Sequence, residues 1–278
     1  MRSLTQPGPA SEPRVLALPC GVRRMRLTFG AGMSVLDAVT EAFAPQGIES
    51  AVVHLSTGSF DPLVYVMPAH STDGIHAAWY SDLHAPRGAC EIGELVFTYG
   101  RRDGEAFLHC HGTWQHADGS LHAGHLMPHD ARFAKPVDAD VLAVSGAVFD
   151  QLEDAETAFK LFTPVLLDSI VEGERRGVLC RVRPNTDIHA AIARAAAVHG
   201  IERATIHGVG SLVGCDFADG RHMPSIASEL FIRSGTLTQD DVALDLVIVD
   251  IDGNIYEGVI APKTNVVCIT FELLIVED

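Results

Sequence analysis

No stretch of about 18 consecutive apolar residues occurs in the 278-residue chain, so a membrane-spanning helix is not expected. Positive charge is scarce: 20 Lys and Arg stand against 36 Asp and Glu, a formal charge of −16. Such a surface repels a phosphate backbone. The basic residues gather only in short clusters, Arg23-Arg24 with Arg26, Arg101-Arg102 and Arg175-Arg176, so nucleic acid is not an expected partner. The six cysteines (Cys20, Cys90, Cys110, Cys180, Cys215, Cys268) show no CxxC spacing, which removes zinc ribbons and thioredoxin-type redox sites. The opening residues MRSLTQPGPASEP are polar and Pro-rich and carry no signal-peptide pattern. With free thiols, this makes a reducing cytoplasm the expected location. Catalytic signatures are missing too. No Ser or Cys nucleophile motif stands out. His207-Gly208-Val209-Gly210-Ser211 lacks the third glycine and helix start of a phosphate loop, and Asp250, Asp252 and Asn254 lack the later Glu of a calcium loop.

What the chain has is a core, a repeat and a cluster. Hydrophobic residues make up 47%, enough to fill one large or two ordinary domains. Residues 1–13 read as a disordered tail. After them the chain states one pattern twice. At a constant offset of 153, Val35 matches Ile188, Val39 matches Ile192, Gly47-Ile48-Glu49 matches Gly200-Ile201-Glu202, and His54 matches His207. Each copy opens with an alternating strand (Met25, Leu27, Phe29; Val178, Cys180, Val182). A cap follows, Ser34 or Thr186, and then an amphipathic helix that ends at a glycine suited to a left-handed residue. A β-branched strand completes the unit. A later hairpin repeats at offset 134, with Asp118-Gly119 matching Asp252-Gly253. The change of offset predicts about 19 fewer residues between strand and hairpin in the second half. The pattern predicts an α+β fold of two tandem domains, each a strand-rich, mostly antiparallel sheet with one or two helices. The expected bounds are 14–150 and 177–278, joined by a packed linker over 151–176.

Six of the 14 histidines fall between His109 and His129. His109 and His111 alternate with Cys110 on a strand, so both face one way, opposite the better core face of Leu108, Cys110 and Trp114. The turn decides whether His125 joins them. A two-residue turn at Asp118-Gly119 would set His125 opposite Gly112, on the wrong face. A three-residue turn with Gly119 left-handed would set it opposite His111, and three imidazoles would converge. That trio suits zinc or another divalent transition metal, with a fourth position for water or a small ligand. A hydrogen-bonded, metal-free histidine face is the alternative. Glu91 and Glu94, on the preceding strand, are the candidate acids. His116, His122 and His129 read as bystanders, and His54 and His207 as structural. The second copy holds Ala243, Asp245 and Val259 at the places of the trio, so no metal is expected there.

The run DGEAFLHCHGTWQHADGSLHAGHL (103–126) resembles the PPC domain (plants and prokaryotes conserved), with Ala123 at the first glycine of that family's Gly-Gly-His-Leu return. The helix ending in Gly47-Ile48 and the segment Glu91–Leu95 are similar as well. The resemblance covers residues 15–150 well and 177–278 weakly, without the histidines. It implies an α+β domain that assembles as a trimer, with a metal on His109, His111 and His125 as in some prokaryotic members. Prokaryotic members are often labelled DNA-binding. This chain has no Arg-Gly-Arg-Pro hook and is acidic. The reading is therefore a metal-binding oligomer of regulatory type, with a small-molecule ligand at the metal. A metal-dependent enzyme acting on a small carbonyl or acid is the alternative, and a DNA-associated protein stands third.

Overall fold

The computed structural model describes residues 2–168, 173–239 and 241–278. Its longer strands are β1 (Val15–Phe29), β2 (Ser50–Leu55), β3 (Cys90–Arg102), β4 (Glu105–Gln115), β5 (Leu121–Leu126), β6 (Val137–Ser145), β7 (Ala147–Glu153), β8 (Lys160–Leu166), β9 (Arg175–Val182), β10 (Arg203–Leu212), β11 (Ser228–Thr238), β12 (Asp241–Asp250), β13 (Ile255–Val259) and β14 (Val267–Glu277). The helices are α1 (Val35–Phe43) and α2 (Ile188–Val198).

One sheet runs in the order β13-β12-β11-β10-β14-β9-β1-β6-β2-β3-β4-β5, with each neighbouring pair along this path antiparallel. Read outward from the β1–β9 pair, the order is the same on both sides. β1, β6, β2, β3, β4 and β5 have β9, β14, β10, β11, β12 and β13 as counterparts, so the sequence repeat is also a repeat of topology.

The sheet folds over on itself. α1 covers the outer face of the first half over Phe29, Val39, Phe43 and Phe97, and α2 covers the second over Ile192, Ile206 and Phe271. Between the halves lies a third core, with Val52, Val96 and Leu142 from one side and Phe231, Val247 and Leu274 from the other. Helix, sheet, sheet and helix form four layers, each apolar strand face meeting another element as burial demands.

Local chemistry explains the helices. Ser34 caps α1 by accepting from the Asp37 backbone N–H at 3.1 Å. In α2 the cap is Asp187, accepting from Ala190 N–H at 2.9 Å, and not Thr186 as expected. A carboxylate satisfies an orphan N–H as well as a hydroxyl, so the cap sits one residue further on. Gly47 and Gly200 take φ of 64° and 67° where the helical segments end.

Two expectations change. Residues 2–13 are not a free tail: Arg2 pairs with Asp216 at 2.9 Å, Leu4 N–H donates to Asn185 at 2.8 Å, and Gly8 N–H donates to the Glu156 carbonyl at 2.9 Å. Its polar groups find partners more than a hundred residues away, which composition cannot show. Met1 lies outside the described residues. The stretch 151–176 holds the end of β7 and all of β8, an antiparallel hairpin whose Leu161 and Phe162 are buried. Residues 169–172 of it lie outside the described residues.

The predicted length difference is present. Residues 56–89 separate β2 from β3, and residues 213–227 separate β10 from β11, 34 against 15 and hence 19 more in the first half. The longer segment carries a short flap in which Pro68–Ala69 pairs with Trp79–Tyr80. Gly124 lets the start of this segment dock on β5, because a Cβ there would lie 2.4 Å from the Val66 carbonyl oxygen.

Candidate metal centre

The hairpin β4–β5 turns on three residues, Ala117-Asp118-Gly119. His116 N–H donates to the Ser120 carbonyl and Gly119 N–H to the His116 carbonyl, both at 2.9 Å. Gly119 takes φ +85°, the left-handed position that the bulged turn requires. The Asp118 carboxylate accepts from Ser120 N–H at 2.9 Å and holds the turn. Register follows: His111 lies opposite His125. Leu108, Cys110 and Trp114 face the α1 core, and the histidines face the interior between the halves. Ring centroids are 4.5 Å apart for His109–His111, 4.9 Å for His109–His125 and 5.3 Å for His111–His125.

The second half contributes two carboxylates. Glu229 on β11 places Oε2 2.6 Å from His111 Nε2. Ligand atoms of His109, His111, His125 and Glu229 all lie within 4.8 Å of one another. Glu272 on β14 is buried, receives Thr98 Oγ1 at 2.6 Å, and sits with both oxygens 3.0 Å from His109 Nδ1. His111 Nδ1 lies 2.7 Å from the Leu230 carbonyl oxygen.

A carboxylate and a carbonyl only accept, so the Nδ1 atoms of His109 and His111 each carry a proton and donate. The two Nε2 atoms lie 2.9 Å apart, and that of His111 is also 2.6 Å from Glu229 Oε2. His125 Nδ1 is buried with no partner among the described residues. Burial, with His109 and His111 beside it, drives the His125 pKa well below the ordinary value, so this ring is neutral. Burial also opposes charge on His109, but Glu272 and Glu229 outweigh it and raise that pKa. Three imidazoles and one carboxylate gathered this closely are a donor set that fits a divalent transition metal.

Glu91 and Glu94 do not join the site. Glu91 is exposed, and Glu94 accepts from Arg233 Nε at 3.0 Å. The acids at the histidines come from the other half. Glu229 is nevertheless the counterpart of Glu91: Glu91 pairs with Gln115 and Glu229 with Val249, and 249 − 115 = 134, the hairpin offset. The sequence held one signal for Glu272, a lone acid inside the apolar run from Val267 to Val276. The other histidines lie elsewhere. His116 and His122 stack at 3.8 Å, and Phe107 lies 6.1 Å from His129. His54 and His207 face each other across the halves with Nε2 and Nδ1 3.2 Å apart.

Beside the histidines a cleft of about 510 Å³ opens, with His109, His125 and Glu272 at one part of its lining and Trp79, Tyr80, Phe107, Phe159 and Arg102 at others. The Tyr80 ring lies 5.2 Å from that of His125. The flap made by the extra residues of the first half is thus one wall.

The fold and hairpin define a class. Residues 20–145 match the family model of the Plants and Prokaryotes Conserved (PCC) domain, and this part of the chain is a PCC domain. Solved structures similar to the chain include a metal-containing protein from Archaeoglobus fulgidus, at 20% identity and a TM-score of 0.42, covering 51% of this chain and 93% of that one. Another is a plant- and prokaryote-conserved protein from Pyrococcus horikoshii, at 17% identity and a TM-score of 0.43, covering 53% and 96%. No curated protein matches the chain. Among the described residues no helix is long and apolar enough to cross a membrane.

Proposed function

We propose that this is a transition-metal protein, with zinc the expected ion, whose site is shared between the PCC domain and the second half. The observation that carries this reading is the convergence of ligand atoms of His109, His111, His125 and Glu229 within 4.8 Å of one another, with the Nδ1 protons of His109 and His111 already committed to Glu272 and the Leu230 carbonyl. His109, His111, His125 and Glu229 would hold the ion. Glu272 and the Leu230 carbonyl keep two of the rings in the metal-ready tautomer. When bound, the ion supplies Lewis-acid polarisation of a ligand oxygen. The residues of the chain do the rest: they orient the donors, exclude water on the buried side and leave the cleft as the way in.

All four donor groups come from one chain, so this reading does not depend on the trimer expected of the family. Self-association is a separate proposal, tested by light scattering. A metal-dependent enzyme is the second reading, favoured by the cleft that opens on His109 and His125. The charge of −16 disfavours DNA, and a gel shift at about 100 mM salt should show no complex.

Protein purified without a His tag and dialysed against zinc should keep about one ion per chain, and His111→Ala almost none. Wild-type protein that keeps less than about a tenth of an ion, unchanged by the substitution, overturns the reading.

A further inference from the structure

We infer that the cleft beside the histidines binds a small carboxylate with an apolar body, its charge met by Arg102 and its other end directed at the histidines. This names a ligand class for the proposed site and rests on the metal reading only for that other end.

Arg102 is a partly exposed cation on the lining of the cleft. The Arg102 guanidinium lies over the Phe107 ring, 5.5 Å from its centroid. Its nearest carboxylate, Asp103, is 3.9 Å away, beyond hydrogen-bond distance. The other cation on the cleft is already matched: Lys160 Nζ sits 3.0 Å from Asp103 and 3.8 Å from Glu153. In a chain of charge −16, a guanidinium over an aromatic ring, whose ion pair among the described residues is a 3.9 Å contact to an aspartate already matched by Lys160, is a prepared anion partner. A carboxylate fits its planar fork through two parallel hydrogen bonds.

Spacing and lining give the rest. Phe107 and His109 alternate on one face of β4, so the arginine platform stands roughly 7 Å along the strand from His109. The lining of the cleft also includes Trp79 and Phe159, whose rings stack at 5.3 Å. An inorganic anion would leave that lining unfilled. A volume of about 510 Å³ is the size of a small-molecule site.

Phenylacetate and its neutral isostere phenylacetamide, titrated by calorimetry into zinc-treated and chelator-treated protein, test the assignment. The acid should bind at least about tenfold more tightly than the amide. Arg102→Gln should erase that difference, and Trp79→Ala should weaken both ligands. Equal affinities for acid and amide, a preference untouched by Arg102→Gln, or no binding of either at about 10 mM overturns the inference. Metal content, measured on the same samples, separates the two readings. An Arg102-dependent preference in protein that loads no zinc supports the cleft assignment while the metal reading fails. Zinc loading without the preference does the reverse.

Discussion

The hairpins β4–β5 and β12–β13 share a register and a turn, but they carry opposite chemistry. His111 faces His125 in one, and Asp245 faces Val259 in the other. Gly119 and Gly253 close them with φ of +85° and +82°. Around the first hairpin, three imidazoles and Glu229 converge. Around the second, beside Asp245, the cation is built in. The Arg233 guanidinium lies 3.0 Å from Glu94, 2.5 Å from Glu257 and 4.0 Å from Asp245. The scaffold sets where donors meet, and on the proposed metal reading the side chains decide whether the positive charge belongs to the chain or comes from outside.

The sharpest way to break this comparison is to substitute counterparts. His111→Ala should abolish metal retention, while Asp245→Ala, at the equivalent place, should leave it at the wild-type level. Equal loss from both, read by elemental analysis, would mean that metal content tracks the integrity of the fold and not the donor set. The next effect is smaller and concerns orientation. Glu272→Gln keeps the shape but weakens the hold on His109 Nδ1–H, and metal affinity should fall by about 10–100-fold. The counterpart of Glu272 is Asp138, an exposed acid that accepts from Thr28 Oγ1 at 2.6 Å. Asp138→Asn should leave metal affinity unchanged in the same competition assay with a chromogenic chelator.

The third prediction tests the place where the halves are alike. His54 and His207 occupy matched positions and meet between the sheets. Burial and Arg24 lower both pKa values, the other imidazole adding to the effect on His207, to about 4 for His54 and about 3 for His207, from an ordinary 6.5. In the unfolded chain these rings take up protons near 6.5, and in the folded chain only well below it. Their contribution to stability is therefore fully present above about pH 6.5 and is lost as the pH falls through the folded values. Thermal unfolding should shift downward from pH 7 to pH 4.5, and His207→Gln should flatten that slope. A slope unchanged by the substitution would assign the acid sensitivity to other groups.

Much of this was legible because it is local. Helix stripes, the glycines at 47 and 200, and the alternation of His109, Cys110 and His111 are written within a few residues of where they act. The turn was legible as a choice between two registers, and Gly119 settled it by adopting the left-handed conformation. The acids were not legible, because Glu229 and Glu272 reach the histidines only when the two halves fold face to face, across 118 residues from His111 and 163 from His109. Glu91 and Glu94 were the local answer to a non-local question. The tail failed for the same reason: a polar, Pro-rich run looks unbound until Asp216, Asn185 and Glu156 are seen beside it.

The smallest expected effect lies at the second hairpin. Arg233→Gln would leave Glu94, Asp245 and Glu257 with no cation between them. Arg233 is partly exposed and its carboxylates are reached by solvent, so the stability loss should be only about 1 kcal/mol. Its salt dependence carries the information. If the guanidinium acts by charge, its removal exposes carboxylate repulsion that counterions screen, and the gap between variant and wild type should narrow as salt rises toward about 1 M. If Arg233 acts by packing its aliphatic stem, the gap should be the same at every salt concentration. A narrowing gap would support reading this hairpin as a site with its cation built in. A constant gap would reduce the comparison to shared backbone geometry, with the two sets of side chains unrelated in role.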